Sequence, residues 1–190
     1  MDDENNYTDV LSRHYDAVWG QGSTSLIWEY GPVNKLNDDF SVQEFPPGDR
    51  IGMWVYATSG MSSHMTKEGE PVELHMFSCR QDRGLAELLT SVAYYHKLVA
   101  KLNLHHTINF GQPWQDNSGC DHGFISLPYI NGPALMDCAY LGGNIKCYWM
   151  IPVTANEVAF KIQYGAEALE AIFDREALDY PDPGRNDVIR

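Results

Sequence analysis

The chain has 190 residues, of which 44% are hydrophobic and 21% charged, and a formal net charge of −13. That size buries one sizeable core, so one domain is the expectation, and the composition is that of a folded globular protein rather than a disordered one. The acidic balance argues against nucleic acid and against an anionic membrane surface as partners, because phosphate binding needs clustered Lys and Arg; a basic protein would instead be attracted and steered.

The opening MDDENNYTDV is acidic where a secretory segment would be basic and then apolar, and no run approaches the roughly 18 apolar residues of a membrane span. Cys79, Cys120, Cys138 and Cys147 are widely spaced and form no CxxC. Together these features set a reduced, cytoplasmic protein with mostly buried thiols as the expectation. Tyr7, Val10, Leu11, His14, Tyr15 and Val18 recur at helical spacing, and Gly20 and Gly22 end that helix. LIWEY (26–30) and FSVQEF (40–45) read as short strands.

IGMWVYAT (51–58) is apolar on both faces, as a central strand covered on two sides would be. PVELHMFS (71–78) alternates, with Val72, Leu74 and Met76 expected inward and Glu73 and His75 outward. A long helix follows, with Asp82 as its N-cap and Leu85, Leu88, Leu89, Val92, His96 and Val99 as its buried stripe. HTINF (106–110) reads as a strand, 111–123 as mainly loop, and FISLPYI (124–130) and IKCYWMI (145–151) as strands joined by a Gly/Pro-containing connection.

In PVTANEVAF, Thr154 followed by Glu157 is a capping box, with Val153 and Val158 placed for a hydrophobic staple. Gly165 breaks the helix, and Leu169, Ile172 and Phe173 share a face of the next. Residues 179–190, polar and Pro-rich, are expected to form a loosely held tail beyond a single domain spanning 1–178. Strands and helices interspersed without strict βαβ alternation predict an α+β fold: a mixed, largely antiparallel sheet with packed helices.

YATSGMS (56–62) poses the chemical question, because hydroxyls and a glycine crowd the end of a strand. Ser59, Ser62 and Ser63 lie near His64, but there is no GxSxG elbow, and GQGSTS lacks the lysine of a phosphate loop. His105, His106, Cys120, Asp121 and His122 carry ligand-type atoms without a known metal spacing, and two adjacent histidines on a strand would point oppositely. A metal-dependent hydrolase on His105, His106, Asp121 and His122 is therefore the minor alternative. His96 reads as a core-edge histidine and Cys147 as an inert packed thiol. The cluster Glu68, Glu70 and Glu73 gives no case for paired acid–base carboxylates. The hydroxyls read as a strand terminator, with Gly60 in a conformation other residues avoid.

WVYATSGMS, then VELHMF, a Leu/Ala-rich helix, the loop GQPW and finally CYWMIPVTANEVAFKIQYGAEALEAIF together resemble the suppressor-of-fused domain, from about Leu26 to Phe173. The order of these motifs carries the likeness. The resemblance implies a non-enzymatic protein-binding domain without a cofactor. With no room for the second domain of the animal members, the chain is similar to the single-domain bacterial form. Such forms are implied to be immunity proteins that neutralise a cognate toxin domain in polymorphic-toxin systems. In the animal members, which sequester transcription factors, a partner peptide adds as an extended strand. A regulator sequestering another protein is thus the second reading. The loop 62–70 resembles the region where animal members touch their peptide, so Met65, Glu68 and Glu70 are the partner-contact residues the resemblance implies.

Overall fold

The computed structural model describes residues 6–28, 35–63 and 70–189. In chain order the elements are α1 (Tyr7–Trp19), β1 (Thr24–Leu26), β2 (Ser41–Phe45), β3 (Trp54–Ser59), β4 (Val72–Ser78), α2 (Gly84–Leu98), β5 (Thr107–Asn109), β6 (His122–Ser126), α3 (Pro133–Met136), β7 (Asp137–Tyr140), β8 (Gly143–Val153), α4 (Ala155–Tyr164) and α5 (Ala166–Arg175). Among the described residues the strands make one sheet in the order β1-β2-β3-β4-β8-β6-β5, with β7 pairing β8 off that path. Every pairing is antiparallel except β4 with β8. This is the mixed, largely antiparallel α+β architecture expected from the sequence.

The sheet separates two apolar layers. On one face α2 lays Leu85, Leu89 and Val92 against Tyr56, Leu74, Met76 and Met150. On the other, Leu11, Tyr15 and Trp19 of α1 join Phe45, Phe77, Trp149, Leu169 and Phe173. β3 is therefore covered on both sides, as its two apolar faces required.

β4 departs from expectation. All of its residues are buried, including Glu73 and His75. Alternation correctly put these two opposite Leu74 and Met76, but α1 covers the face they occupy: the Trp19 ring lies 5.4 Å from His75. The N-cap also shifts. α2 begins at Gly84, and Asp82 Oδ1 accepts from the Gly84 amide at 2.9 Å, one position ahead of the capping residue Arg83. Val99, assigned to the buried stripe, is 65% exposed just past the helix end.

LIWEY begins earlier than expected, as β1, and its residues 29 and 30 lie outside the described segments. The connection between β6 and β8 holds α3 and β7. The latter is a hairpin partner of β8 made by the left-handed pair Leu141 (φ 47°) and Gly142 (φ 79°). The capping box forms as read: Thr154 Oγ1 accepts from the Glu157 amide at 3.2 Å, and Glu157 Oε2 from the Thr154 amide at 2.9 Å.

The final segment is not loosely held. Tyr180 packs on Trp149 with ring centroids 4.6 Å apart. Arg185 places Nη1 and Nη2 at 2.7 and 2.6 Å from the two oxygens of Glu157, and Nη2 also donates to the Pro152 carbonyl at 2.8 Å. Thr154 Oγ1 donates to Asp187 at 2.9 Å. Glu157 is fully buried, so the capping carboxylate needs a cation, and the segment's arginine supplies it.

Candidate partner-binding face

The β3–β4 ladder ends at the pair Ala57–His75. Beyond it the hydroxyls of YATSGMS take over the backbone of β4. Thr58 Oγ1 accepts from the Leu74 amide at 2.9 Å; Ser62 Oγ accepts from the Val72 amide at 3.0 Å and donates to the Val72 carbonyl at 2.8 Å. Gly60 turns the chain with φ +95°, and a Cβ there would stand 3.2 Å from the Asp39 carbonyl oxygen. The strand-terminator reading is therefore what the structure shows.

Glu73 sits beneath this turn. Its carboxylate accepts from Thr58 Oγ1 at 2.6 Å, Tyr7 Oη at 2.9 Å and the Ser62 amide at 3.2 Å. None of these partners is a cation. Burial pushes its pKa up to about 7, although its hydrogen bonds favour the charged form. One carboxylate thus ties α1, β3, β4 and the start of the loop together.

Ser62 Oγ also lies 3.2 Å from His96 Nε2. A serine beside a histidine invites a catalytic reading, but the hydrogen bonds oppose it. His96 Nδ1 accepts from the Leu102 amide at 2.8 Å, so Nε2 carries the proton of the neutral ring and donates to Ser62. The serine hydroxyl donates to a carbonyl instead. A general base would need the opposite tautomer. Burial also lowers the His96 pKa to about 4. Both ring nitrogens of His96 are engaged, and the pair clamps the loop base to α2.

The other candidates separate. Met65, Glu68 and His64 lie outside the described residues. Glu70 is exposed, 3.7 Å from Lys146 Nζ, which is held at 2.6 Å by its cross-strand partner Asp137. His106 is exposed in the approach to β5, His105 stacks on Phe124, and His122 Nδ1 lies 2.6 Å from Asp121 Oδ1. Cys120 and Cys147 are buried. Among the described residues no three His, Cys, Asp or Glu side chains gather as a metal-ligand set.

Beside the loop lies a feature that sequence reading missed: a shallow depression of about 520 Å³ lined by Asn6, Leu36, Asn37, Asp38 and Asp39. Ser63 Oγ, at the loop start, donates to Asp39 at 3.2 Å and accepts from Asn37 Nδ2 at 3.0 Å. Lys97 reaches from α2 to Asn37 at 2.6 Å. The only signal in the sequence is the polar run LNDD, which resembles any solvated turn. The depression is acidic, and the described residues on either side of the loop are bonded to the body of the domain.

A mixed sheet covered on both faces, with strand-end hydroxyls bonded to the backbone of the next strand, defines the class by its fold: an α+β domain. The family model described as Suppressor of fused protein (SUFU) matches residues 37–186, and the chain belongs to that family. A suppressor-of-fused homologue from Neisseria gonorrhoeae FA 1090 is similar in structure, with 27% identity, a TM-score of 0.83 and 97% of each chain covered. A chain of the Sufu–Fu complex shares the fold at 12% identity and TM-score 0.72, covering 96% of this chain and 92% of that one. Drosophila Suppressor of Fused does so at 12% identity and TM-score 0.70; 97% of this chain is covered, but only 51% of the Drosophila chain. Comparison with curated proteins returns no match. No helix among the described residues is long and apolar enough to cross a membrane.

Proposed function

We propose that the chain is a non-catalytic protein-binding domain that acts in the cytoplasm as an immunity protein, binding and neutralising a cognate basic toxin domain. Family membership over residues 37–186 is the observation that carries the protein-binding part. The net charge of −13 and the acidic depression beside the anchored loop support a basic partner. The Ser62–His96 tautomer supports a non-catalytic role. The contact face is the loop 62–70, with Met65, Glu68 and Glu70, together with the depression at 36–39. A second reading, a regulator that holds a different protein, is favoured by the Sufu–Fu complex, in which a protein of this fold is seen with a partner.

Co-expression with any toxin domain found encoded beside its gene tests the proposal. Restored growth and a 1:1 complex that weakens with salt are expected. Continued toxicity with both proteins soluble would refute the immunity reading.

A further inference from the structure

The β7–β8 hairpin turns through two residues, Leu141 and Gly142, between the paired Tyr140 and Gly143. Both have positive φ, 47° and 79°, the combination that favours Asn-Gly, because a leucine in the left-handed region crowds its Cβ against its own backbone. Leu141 is also 78% exposed, more than any other large apolar side chain among the described residues. The other described non-glycine residues at positive φ have local reasons for it. His105 stacks on Phe124, and its amide donates to the Ile125 carbonyl at 2.7 Å. Asn117 is of a type that tolerates this region. Ala177 closes α5, where the Leu178 amide reaches the Phe173 carbonyl at 3.0 Å. Leu141 is unfavourable twice over, in backbone conformation and in hydration, and such local conflicts collect at functional sites.

The hairpin tip stands at the same end of the sheet as the acidic depression. β8 runs parallel to β4 with Lys146 level with Val72, so Gly143 lies three residues, about 10 Å, beyond the start of β4. The Lys146 amide donates to the Pro71 carbonyl at 2.7 Å, and Lys146 Nζ lies 2.6 Å from Asp137 and 3.7 Å from Glu70. On the α1 side, the Tyr140 and Tyr7 rings meet edge to face with centroids 5.1 Å apart. Asn6, next to Tyr7, lines the depression with Asp38 and Asp39. Carboxylates therefore flank the exposed leucine at its base and across the start of α1. A second copy of this acidic chain would meet like charge here, whereas a basic protein surface would meet opposite charge.

Resting on the basic-partner reading above, we propose that Leu141 is the apolar anchor of the partner face: the toxin domain seats an apolar recess on the hairpin tip while its cationic side chains meet the depression. The carboxylates then set the rate of encounter, and Leu141 sets the rate of release.

Leu141→Asn separates the two costs from the benefit. In the free chain it should raise Tm by about 1–3 °C, since asparagine tolerates the left-handed region and exposes no apolar surface. Binding to an inactivated form of any toxin domain found encoded beside the gene is then followed by surface-immobilised kinetics. Affinity should fall roughly tenfold to a hundredfold through faster dissociation, with the association rate and its salt dependence nearly unchanged. Leu141→Met, which keeps the apolar reach, should retain most of the affinity. A Tm that does not rise in Leu141→Asn would overturn the anchor on the free chain alone. Affinity undiminished in Leu141→Asn, or lost only through slower association, would remove the anchor and leave the immunity reading standing. An unaltered chain that binds no such domain would overturn that reading and the anchor with it.

Discussion

Glu73 and His75 sit two residues apart on one buried face of β4 and oppose each other in their effect on stability. His75 is enclosed by Trp19, Phe77 and Trp149, and burial lowers its pKa from 6.5 to about 3. The unfolded chain therefore takes up a proton below pH 6.5 that the folded chain refuses, and stability falls as pH drops from 6.5 towards 3. Glu73 has the opposite sign. Its pKa rises from 4.5 to about 7, so its contribution is complete below 4.5 and is lost as pH rises to 7. Between pH 4.5 and 6.5 the two slopes cancel, and each is worth about 2 kcal/mol across that window. Glu73→Gln, which keeps the shape and resembles the protonated acid, should leave the His75 slope exposed: stability relative to the unaltered chain should climb with pH by about 2 kcal/mol. His75→Phe should do the reverse. Urea unfolding at pH 4.5, 5.5 and 6.5 reads these differences, and carboxylates elsewhere cancel in the comparison. If both variants track the unaltered chain in parallel, the two groups do not titrate as their burial requires.

Arg185→Ala strands the buried Glu157 carboxylate and should cost about 3–5 kcal/mol in chemical denaturation, whereas the double variant Arg185→Met with Glu157→Gln should recover much of it. Ser62→Ala removes the acceptor for the Val72 amide and frees one side of His96; about 1–3 kcal/mol of stability should go, and limited proteolysis should cut faster within the loop 62–70. Gly60→Ala places a side chain at φ +95° and 3.2 Å from a carbonyl oxygen; a loss exceeding about 1 kcal/mol is expected by thermal unfolding. Glu68→Lys with Glu70→Lys should slow association with a basic partner at low salt and leave the unfolding midpoint unchanged, as stopped-flow binding and thermal scans would show.

The parts of the fold that were legible are those set by neighbours in sequence. The capping box needs only Thr154 and Glu157, three residues apart. Gly60 and the hydroxyls of 58–62 announce the end of β3. The burial of β4 was not legible, because a period of two assigns faces without saying whether a second layer covers the polar one, and the helix that does so lies about 60 residues earlier. β7 was hidden because four residues, DCAY, owe their strand state to pairing with β8 across a turn that contains a non-glycine left-handed residue. Arg185 looked like tail chemistry because its partner, Glu157, is 28 positions away. Ser62 and His96, 34 apart, meet only through the packing of α2 on the sheet. The ordered motifs revealed the family because they mark strand ends and helix starts. The acidic depression carried no such mark, since Asp38 and Asp39 read as an ordinary solvated turn.

Hydrogen exchange on the chain with and without its cognate toxin domain gives the most direct test of partner binding at the loop face. Protection should concentrate in residues 36–39 and 62–70, with the strands beneath unchanged. A stable complex that protects other surfaces and leaves those segments exchanging freely would contradict the assignment of the face, and no complex at micromolar concentration would contradict the immunity function itself.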